Sequence, residues 1–229
     1  DGGVPLSAIE FAALGLSSVD SSAEVSLLND LIDVRSGTAV DSYAEVAALA
    51  SIATRLMGEA AGVASSPVLT PSDFTALGVS GVTRENLAEV LAAIRASADD
   101  GSQIDTLTEL RTLVDAAVAL SRQNAIDTIS RYDGTSATTT PALADFANAG
   151  VTGVTNGNLV SINSAFAVIG IADSDATEEI QGLVSGYVTI LLGADGQRDS
   201  DVSLSSSDYV AMNLARVDTS GKADLLNQI

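Results

Sequence analysis

Aliphatic residues along this chain recur at intervals of three and four, the spacing that lines one face of an α-helix. Leu87, Val90, Leu91 and Ile94 form one such stripe, and Leu159, Ile162, Phe166 and Ile169 another. Leu110, Leu113, Val114, Ala117 and Leu120 form a longer one. No stretch keeps the strict alternation of a half-buried strand; short β-friendly pieces such as Val202-Ser203-Leu204 lie between the stripes. The pattern predicts an all-α protein.

The stripes are punctuated by blocks that repeat. Phe11-Ala12-Ala13-Leu14-Gly15-Leu16 aligns with Phe74-Thr75-Ala76-Leu77-Gly78-Val79 and with Phe146-Ala147-Asn148-Ala149-Gly150-Val151. A weaker copy reads Tyr209-Val210-Ala211-Met212-Asn213-Leu214. The spacings are 63, 72 and 63 residues. Just beyond each block stands a valine followed by Asp or Thr: Val19-Asp20, Val82-Thr83, Val154-Thr155 and Val217-Asp218. About twenty residues later comes Asp-x-x-x-Glu-aliphatic, at Asp41…Glu45-Val46, Asp105…Glu109-Leu110 and Asp175…Glu179-Ile180, with Leu49, Leu113 and Leu183 following. Two signatures in a fixed order make this a repeat protein.

Each repeat reads as a short, a medium and a long helix. Pro5, Pro71 and Pro141 suit the first turn of the short helix. Gly15, Gly78 and Gly150 suit a left-handed residue just past its end, with Asn213 in that place in the fourth copy. The spacing assigns Asp20, Thr83, Thr155 and Asp218 as N-caps of the medium helix, with Val82–Leu87 and Val154–Leu159 spaced as hydrophobic staples. Asp41, Asp105 and Asp175 are the expected caps of the long helix, where acids also complement the helix dipole. Linkers rich in Ser, Thr and Gly, at 62–70, 133–140 and 193–207, lead to the next repeat.

The expected architecture is therefore a tandem array of small three-helix bundles, solenoid-like where neighbours lean on one another. Alanine at many core-facing positions lets the helices approach closely, and a bundle of roughly 60 residues buries too little surface to be robust alone. Counted from the short helix, the modules are 1–66, 67–138 and 139–204, with a partial module of two helices at 205–229. Counted from the long helix, a leading half at 1–34 precedes units at 41–97, 105–168 and 175–229. The proline-containing linkers favour the first phase and the flush end at Ile229 the second.

The runs Leu77-Gly78-Val79-Ser80-Gly81-Val82-Thr83-Arg84-Glu85-Asn86-Leu87 and Ala149-Gly150-Val151-Thr152-Gly153-Val154-Thr155-Asn156-Gly157-Asn158-Leu159, with the Asp-x-x-x-Glu-aliphatic start, resemble the GA-like modules of large bacterial surface adhesins. Those modules are similar to the three-helix albumin-binding (GA) module of Gram-positive surface proteins. The resemblance implies a three-helix fold and an extracellular, cell-surface tandem array. It does not carry albumin binding across, because no binding face maps residue by residue.

Composition narrows the chemistry. The 229 residues include no cysteine, which excludes disulfide frameworks, Cys-ligated zinc and thiol catalysis. Histidine is absent too, removing the usual general base and imidazole-ligated metals. A net charge of −20 repels nucleic-acid backbones and anionic lipid surfaces, and 3% aromatic content gives no base-stacking surface. No apolar run reaches the roughly 18 residues of a membrane span. The opening Asp1-Gly2-Gly3 reads as a fragment of something longer or a processed chain.

Carboxylates are the remaining candidates for chemistry. Asp99-Asp100, Asp173 with Asp175, and Glu178-Glu179 are explained by helix capping and solvated charge without a site. The calcium candidates are Asp195, Asp199 and Asp201, three acids in an irregular stretch containing Gly196. Against them stand the missing EF-hand order and Arg198 in their midst; the other reading is a flexible linker. Gly78-x-x-Gly81 and Gly150-x-x-Gly153 lack the strand and lysine of a phosphate loop and read as helix terminators. The serines Ser203, Ser205, Ser206 and Ser207 read as a polar lead-in to an N-cap.

These readings predict a non-catalytic structural or spacer segment of an extracellular bacterial adhesin-like protein, without cofactor or catalytic residue. The alternatives are a self-assembling subunit of a filament or surface layer, completed through its uneven module count, and a GA-like protein-binding module. The expected partners are neighbouring modules or copies of the chain, with an extracellular protein under the binding alternative; nucleic acid and membrane insertion are not expected.

Overall fold

The computed structural model describes residues 4–168, 174–193, 204–211, 214 and 216–226. Among these residues it has eleven α-helices and no strand, so the all-α expectation holds. They are α1 (Ala8–Ala13), α2 (Ser22–Asp33), α3 (Tyr43–Ala60), α4 (Pro71–Leu77), α5 (Leu87–Arg95), α6 (Leu107–Ser130), α7 (Leu143–Asn148), α8 (Leu159–Phe166), α9 (Thr177–Gly193), α10 (Ser206–Ala211) and α11 (Ser220–Leu226). A 3-10 turn at Gly37–Ala39 precedes α3. Helix lengths run 6, 12 and 18 residues, then 7, 9 and 24, then 6, 8 and 17. None of the described helices is long and apolar enough to cross a membrane.

Every short helix ends in the same way. The amides of Leu16, Val79 and Val151 donate to the carbonyls of Phe11, Phe74 and Phe146 at 2.9, 2.9 and 2.8 Å. The glycine before each donor, Gly15, Gly78 or Gly150, has φ of +88°, +78° or +80°. This is a Schellman closure, which satisfies the last carbonyls and needs a left-handed residue that glycine adopts without strain. The three phenylalanines and the three amide-donating residues are buried, so each closure also seals a piece of core. In α10 the Leu214 amide bonds Tyr209 at 2.9 Å; Asn213 lies outside the described residues.

The helix starts correct the expected caps by one residue. Glu24 and Glu45 close capping boxes with Ser21 and Ser42. Thr106 and Glu109 exchange bonds at 2.9 and 3.2 Å, and Glu179 takes the Ala176 amide at 3.1 Å. Asp20, Asp41, Asp105 and Asp175 thus sit one position too early: the box spans three residues, and the Asp–Glu spacing is four. Pro71 is the first residue of α4, as expected, whereas Pro5 and Pro141 lie ahead of the caps Ser7 and Ala142. Asp218 does not cap α11; its carboxylate takes the Lys222 ammonium at 2.6 Å, and that cation holds its pKa below the ordinary value.

Thr83 and Thr155, expected as caps, stand three residues ahead of the actual N-caps Asn86 and Asn158 and bond to those asparagines across the intervening turn. Asn86 Oδ1 accepts the Thr83 amide at 2.8 Å while its Nδ2 donates to Gly81 O at 2.9 Å. Asn158 repeats this with Thr155 at 2.7 Å and Gly153 at 2.8 Å. One amide side chain therefore staples the glycine turn to the helix start in both places.

The chain divides into two compact units, residues 1–120 and 121–229. The first holds one continuous core, filled by Phe11, Leu27, Leu28 and Leu31, by Ala53 and Leu56 of α3, by Phe74 and Leu77 of α4, by Val90 and Ile94 of α5, and by Leu110 and Val114 of α6. The stripe of α6 continues through buried Ser121, not Leu120, which is exposed: 110, 114, 117 and 121 step by four, three and four, and 120 falls off that face. The second unit packs Ala125, Ile126 and Ile129 with Phe146 of α7, Ile162 and Phe166 of α8, and Ile180 and Val184 of α9. Phe146 and Phe166 meet edge to face at 5.8 Å. A smaller cluster gathers Leu204, Tyr209 and Ala223, with Ile190 and Val217 against it. Ile169 of the expected α8 stripe lies outside the described residues.

One asparagine pair ties short helices to medium ones. Asn29 takes the Leu6 amide at 2.8 Å and donates to the Leu6 carbonyl at 2.7 Å. Asn163 likewise donates to the Pro141 carbonyl at 2.8 Å, but proline has no amide hydrogen, and Asn163 Oδ1 is buried without a partner among the described residues. Pro141→Ala is expected to supply that donor and raise stability by about 0.5–1 kcal/mol, the gain being partly offset by the proline's stiffening of the unfolded chain. Denaturant titration checks it: the gain disappears when Asn163 is replaced by Leu, the residue standing at the equivalent position 91.

Candidate functional site

The polar groups of this protein are largely committed to helix ends. Asp100 accepts the Ser102 amide at 3.0 Å, and Glu179 caps α9. Asp99, Asp175 and Glu178 are exposed. The Asp105 carboxyl is raised above the ordinary carboxylate value, first by burial and then by the neighbouring Glu109. Among the described residues no three acids come together as a metal group. The calcium candidates Asp195, Asp199 and Asp201, with Asp173 and Ser203, lie outside the described residues. Ser205, by contrast, caps α10 by exchanging bonds with Asp208 at 2.6 and 3.3 Å.

The cations serve the same ends. Arg35 donates to the carbonyls of Leu31 and Ala76, and Arg111 to that of Gly78 at 3.1 and 2.9 Å, so two guanidinium groups face the C-terminal end of α4. Arg55 of α3 pairs with Asp73 of α4 at 2.8 Å. The Asp73 carboxyl is opposed by burial, but Arg55 and Thr70 outweigh it and hold the pKa below its usual value. Arg95 pairs with Glu59, which also accepts the Ser65 amide at 2.9 Å and hydroxyl at 2.7 Å.

The α3–α4 contact leaves no cavity. Ile52 and Leu56 of α3 face Leu69, Asp73, Phe74 and Leu77 across a recess of about 120 Å3 that has no room for a water molecule. It shows what a short helix normally lies against: the long helix that precedes it in the chain. In the second unit, Phe146 of α7 and Ala149 just past its end share a core with Ala125, Ile126 and Ile129 of α6, and Tyr209 of α10 packs with Ile190 of α9.

Among the described residues no long helix precedes α1, and the burial of its side chains differs accordingly. Leu14, three residues after the closing phenylalanine, is 53% exposed, while its counterparts Leu77 and Ala149 are 1% and 0% exposed. Leu6, the residue before the cap, is half-buried, while Leu69 and Leu204 are buried at the same place. Glu10 occupies the position of Asp73 but is exposed, its bonds being those of the capping box with Ser7. Ile9 stands exposed where α4 carries Ser72. The result is an uncovered apolar face with one carboxylate at its edge. The sequence gives Leu14 and Leu77 the same place in the repeat, so only the structure distinguishes the covered from the open copy. Comparison with protein-family models, with curated proteins and with solved structures finds no match.

Proposed function

We propose that this chain is a non-catalytic spacer segment of an extracellular, adhesin-like bacterial surface protein, built from tandem three-helix modules at 1–66, 67–138 and 139–204 with a partial module at 205–229. The observation that carries the reading is the recurrence of one closure. Phe11, Phe74, Phe146 and Tyr209 accept the same backbone bond at the end of each short helix. A design that spends its polar groups on joining helices, repeat after repeat, supports a mechanical role: holding length and presenting what lies at its ends. The resemblance to GA-like modules supports the extracellular placement. A net charge of −20 suits an array whose members repel one another in solution.

The test is molar mass by light scattering after size exclusion, with and without millimolar calcium. The spacer reading expects a monomer in both conditions, across a hundredfold range of concentration. Multimers that grow with concentration would overturn it in favour of a self-assembling filament or layer subunit. A change of mass or melting temperature with calcium would reassign Asp195, Asp199 and Asp201 from linker to metal site.

A further inference from the structure

We propose that Asn156 and Gly157 form a site of spontaneous covalent modification. There the Asn156 side chain passes through a cyclic imide to aspartate and isoaspartate, and the isoaspartate loosens the entry to α8. The pair is the one Asn-Gly dipeptide in the sequence. It stands in the turn ahead of α8, and both residues are exposed. A glycine puts no side chain in the way when its own amide nitrogen attacks the asparagine before it.

The fold itself does not call for glycine at 157. Its φ is not left-handed, and a Cβ there would meet only the Thr155 hydroxyl oxygen, at an ordinary 3.7 Å. The equivalent residue of the second repeat is Glu85. The turn is closed by the amides of Asn158 and Leu159, which donate to the Thr155 carbonyl at 3.2 and 2.9 Å. Among the described residues, neither the Asn156 carboxamide nor the Gly157 amide takes part in a hydrogen bond, so electrophile and nucleophile are both uncommitted.

The Asp-Gly pairs at 100 and 133 are restrained where Asn156 is not. Asp100 Oδ1 accepts the Ser102 amide at 3.0 Å, and the Gly101 amide donates to the Ala98 carbonyl at 2.9 Å. Asp133 Oδ1 accepts the Thr138 hydroxyl at 2.7 Å and the Thr135 amide and hydroxyl at 2.9 and 2.8 Å. Ser102 holds the Asp100 carboxyl, and Thr138 and Thr135 the Asp133 carboxyl, below the ordinary value. Both are therefore ionised, and a carboxylate is a poor target for a nucleophile.

In the first step the Gly157 nitrogen bonds to Asn156 Cγ, the Cγ–Nδ2 bond breaks, and the Gly157 amide proton leaves with Nδ2 as ammonia. Water then opens the imide, and nothing is oxidised or reduced. Opening at Cγ gives aspartate. Opening at the main-chain carbonyl gives isoaspartate, whose backbone runs through Cγ and is one carbon longer. That carbon falls inside the span that Asn158 staples, with Oδ1 on the Thr155 amide at 2.7 Å and Nδ2 on the Gly153 carbonyl at 2.8 Å. The added length takes these bonds out of register and frees the first turn of α8.

The test holds the whole protein for weeks in neutral buffer at physiological temperature. Its peptides are then mapped by mass spectrometry, with isoaspartate identified by electron-transfer fragmentation. Conversion at Asn156 is expected to run at least tenfold faster than at Asn124, Asn148 or Asn163, with no isoaspartate at Asp100 or Asp133. Gly157→Ala fits the turn and is expected to slow conversion at least tenfold without lowering the melting temperature. In the isoaspartate form, separated by chromatography, the α8 amides are expected to exchange hydrogen several-fold faster while those of α5 are unchanged. An intact Asn156, conversion no faster than at the other asparagines, or conversion unaffected by Gly157→Ala overturns the site. Isoaspartate without faster exchange in α8 overturns its structural consequence.

Discussion

Replacing Phe74 by alanine is expected to remove about 3–5 kcal/mol of stability, the range for deleting a fully buried aromatic side chain from a packed core. The ring is buried among Ile52, Leu56, Leu69 and Leu77, and the surrounding recess has no room for water. Truncation therefore leaves a dry void bounded by α3 on one side and by the closure of α4 on the other. Both walls are held by backbone bonds and by the Arg55–Asp73 pair, which restricts collapse. Denaturant unfolding followed by circular dichroism measures the loss. Leu14→Ala, on the open counterpart of this face, is the contrast and is expected to cost roughly 0.5 kcal/mol or less. A loss below about 1 kcal/mol for Phe74→Ala would show that the two helices close over the gap, against the packing argument.

Glu59→Ala carries the second large effect, about 3 kcal/mol, because it deletes a buried charge that serves three donors. The carboxylate is 1% exposed, whereas its ionic partner Arg95 is 44% exposed and regains water when released. Most of the loss therefore falls on the Ser65 amide and hydroxyl, which hold the linker between α3 and α4 against the helix. Ser65 in turn takes the Leu69 amide at 3.2 Å, so the damage runs down the linker to the start of α4. Arg95→Ala is expected to cost less, near 1 kcal/mol, since the Ser65 bonds remain.

The pH response of the same group has a fixed sign. Burial opposes ionisation of Glu59, but the Ser65 hydroxyl and amide and then Arg95 prevail, so its folded pKa lies below the unfolded one. Its stabilisation is fully present above the unfolded value, near 4.3, and is lost as pH falls through the folded value. Glu59→Gln should flatten the acid limb of the stability profile in that window. An unchanged acid limb would assign that limb to other carboxylates.

The helices, their order and their glycine stops were legible because period and punctuation are local properties of a sequence. Gly15, Gly78 and Gly150 announce a left-handed residue, and each adopts one. The caps were misplaced by one because Asp20, Asp41, Asp105 and Asp175 are good caps by type, yet a glutamate four residues on can close a box only with the residue after them. Asn86 and Asn158 stand in plain view in a Thr-x-x-Asn pattern, but their second bond, back to the carbonyl of Gly81 or Gly153, needs the turn to be built first. The Glu59–Ser65–Arg95 group joins a helix, a linker and the next helix, and no spacing rule marks it. The open face of α1 is invisible to any reading of one repeat at a time, since it is defined by a neighbour that the other copies have.

The helix closures have one more consequence. The Schellman bond and the capping box both join residues a few positions apart, so a short helix satisfies its own ends wherever it stands. Duplicating or excising such a segment by unequal recombination creates no stranded polar group and demands no compensating change elsewhere. What a new copy needs is apolar cover, which the preceding long helix provides. Under the proposed spacer reading, the number of such segments can therefore change while each junction stays chemically complete.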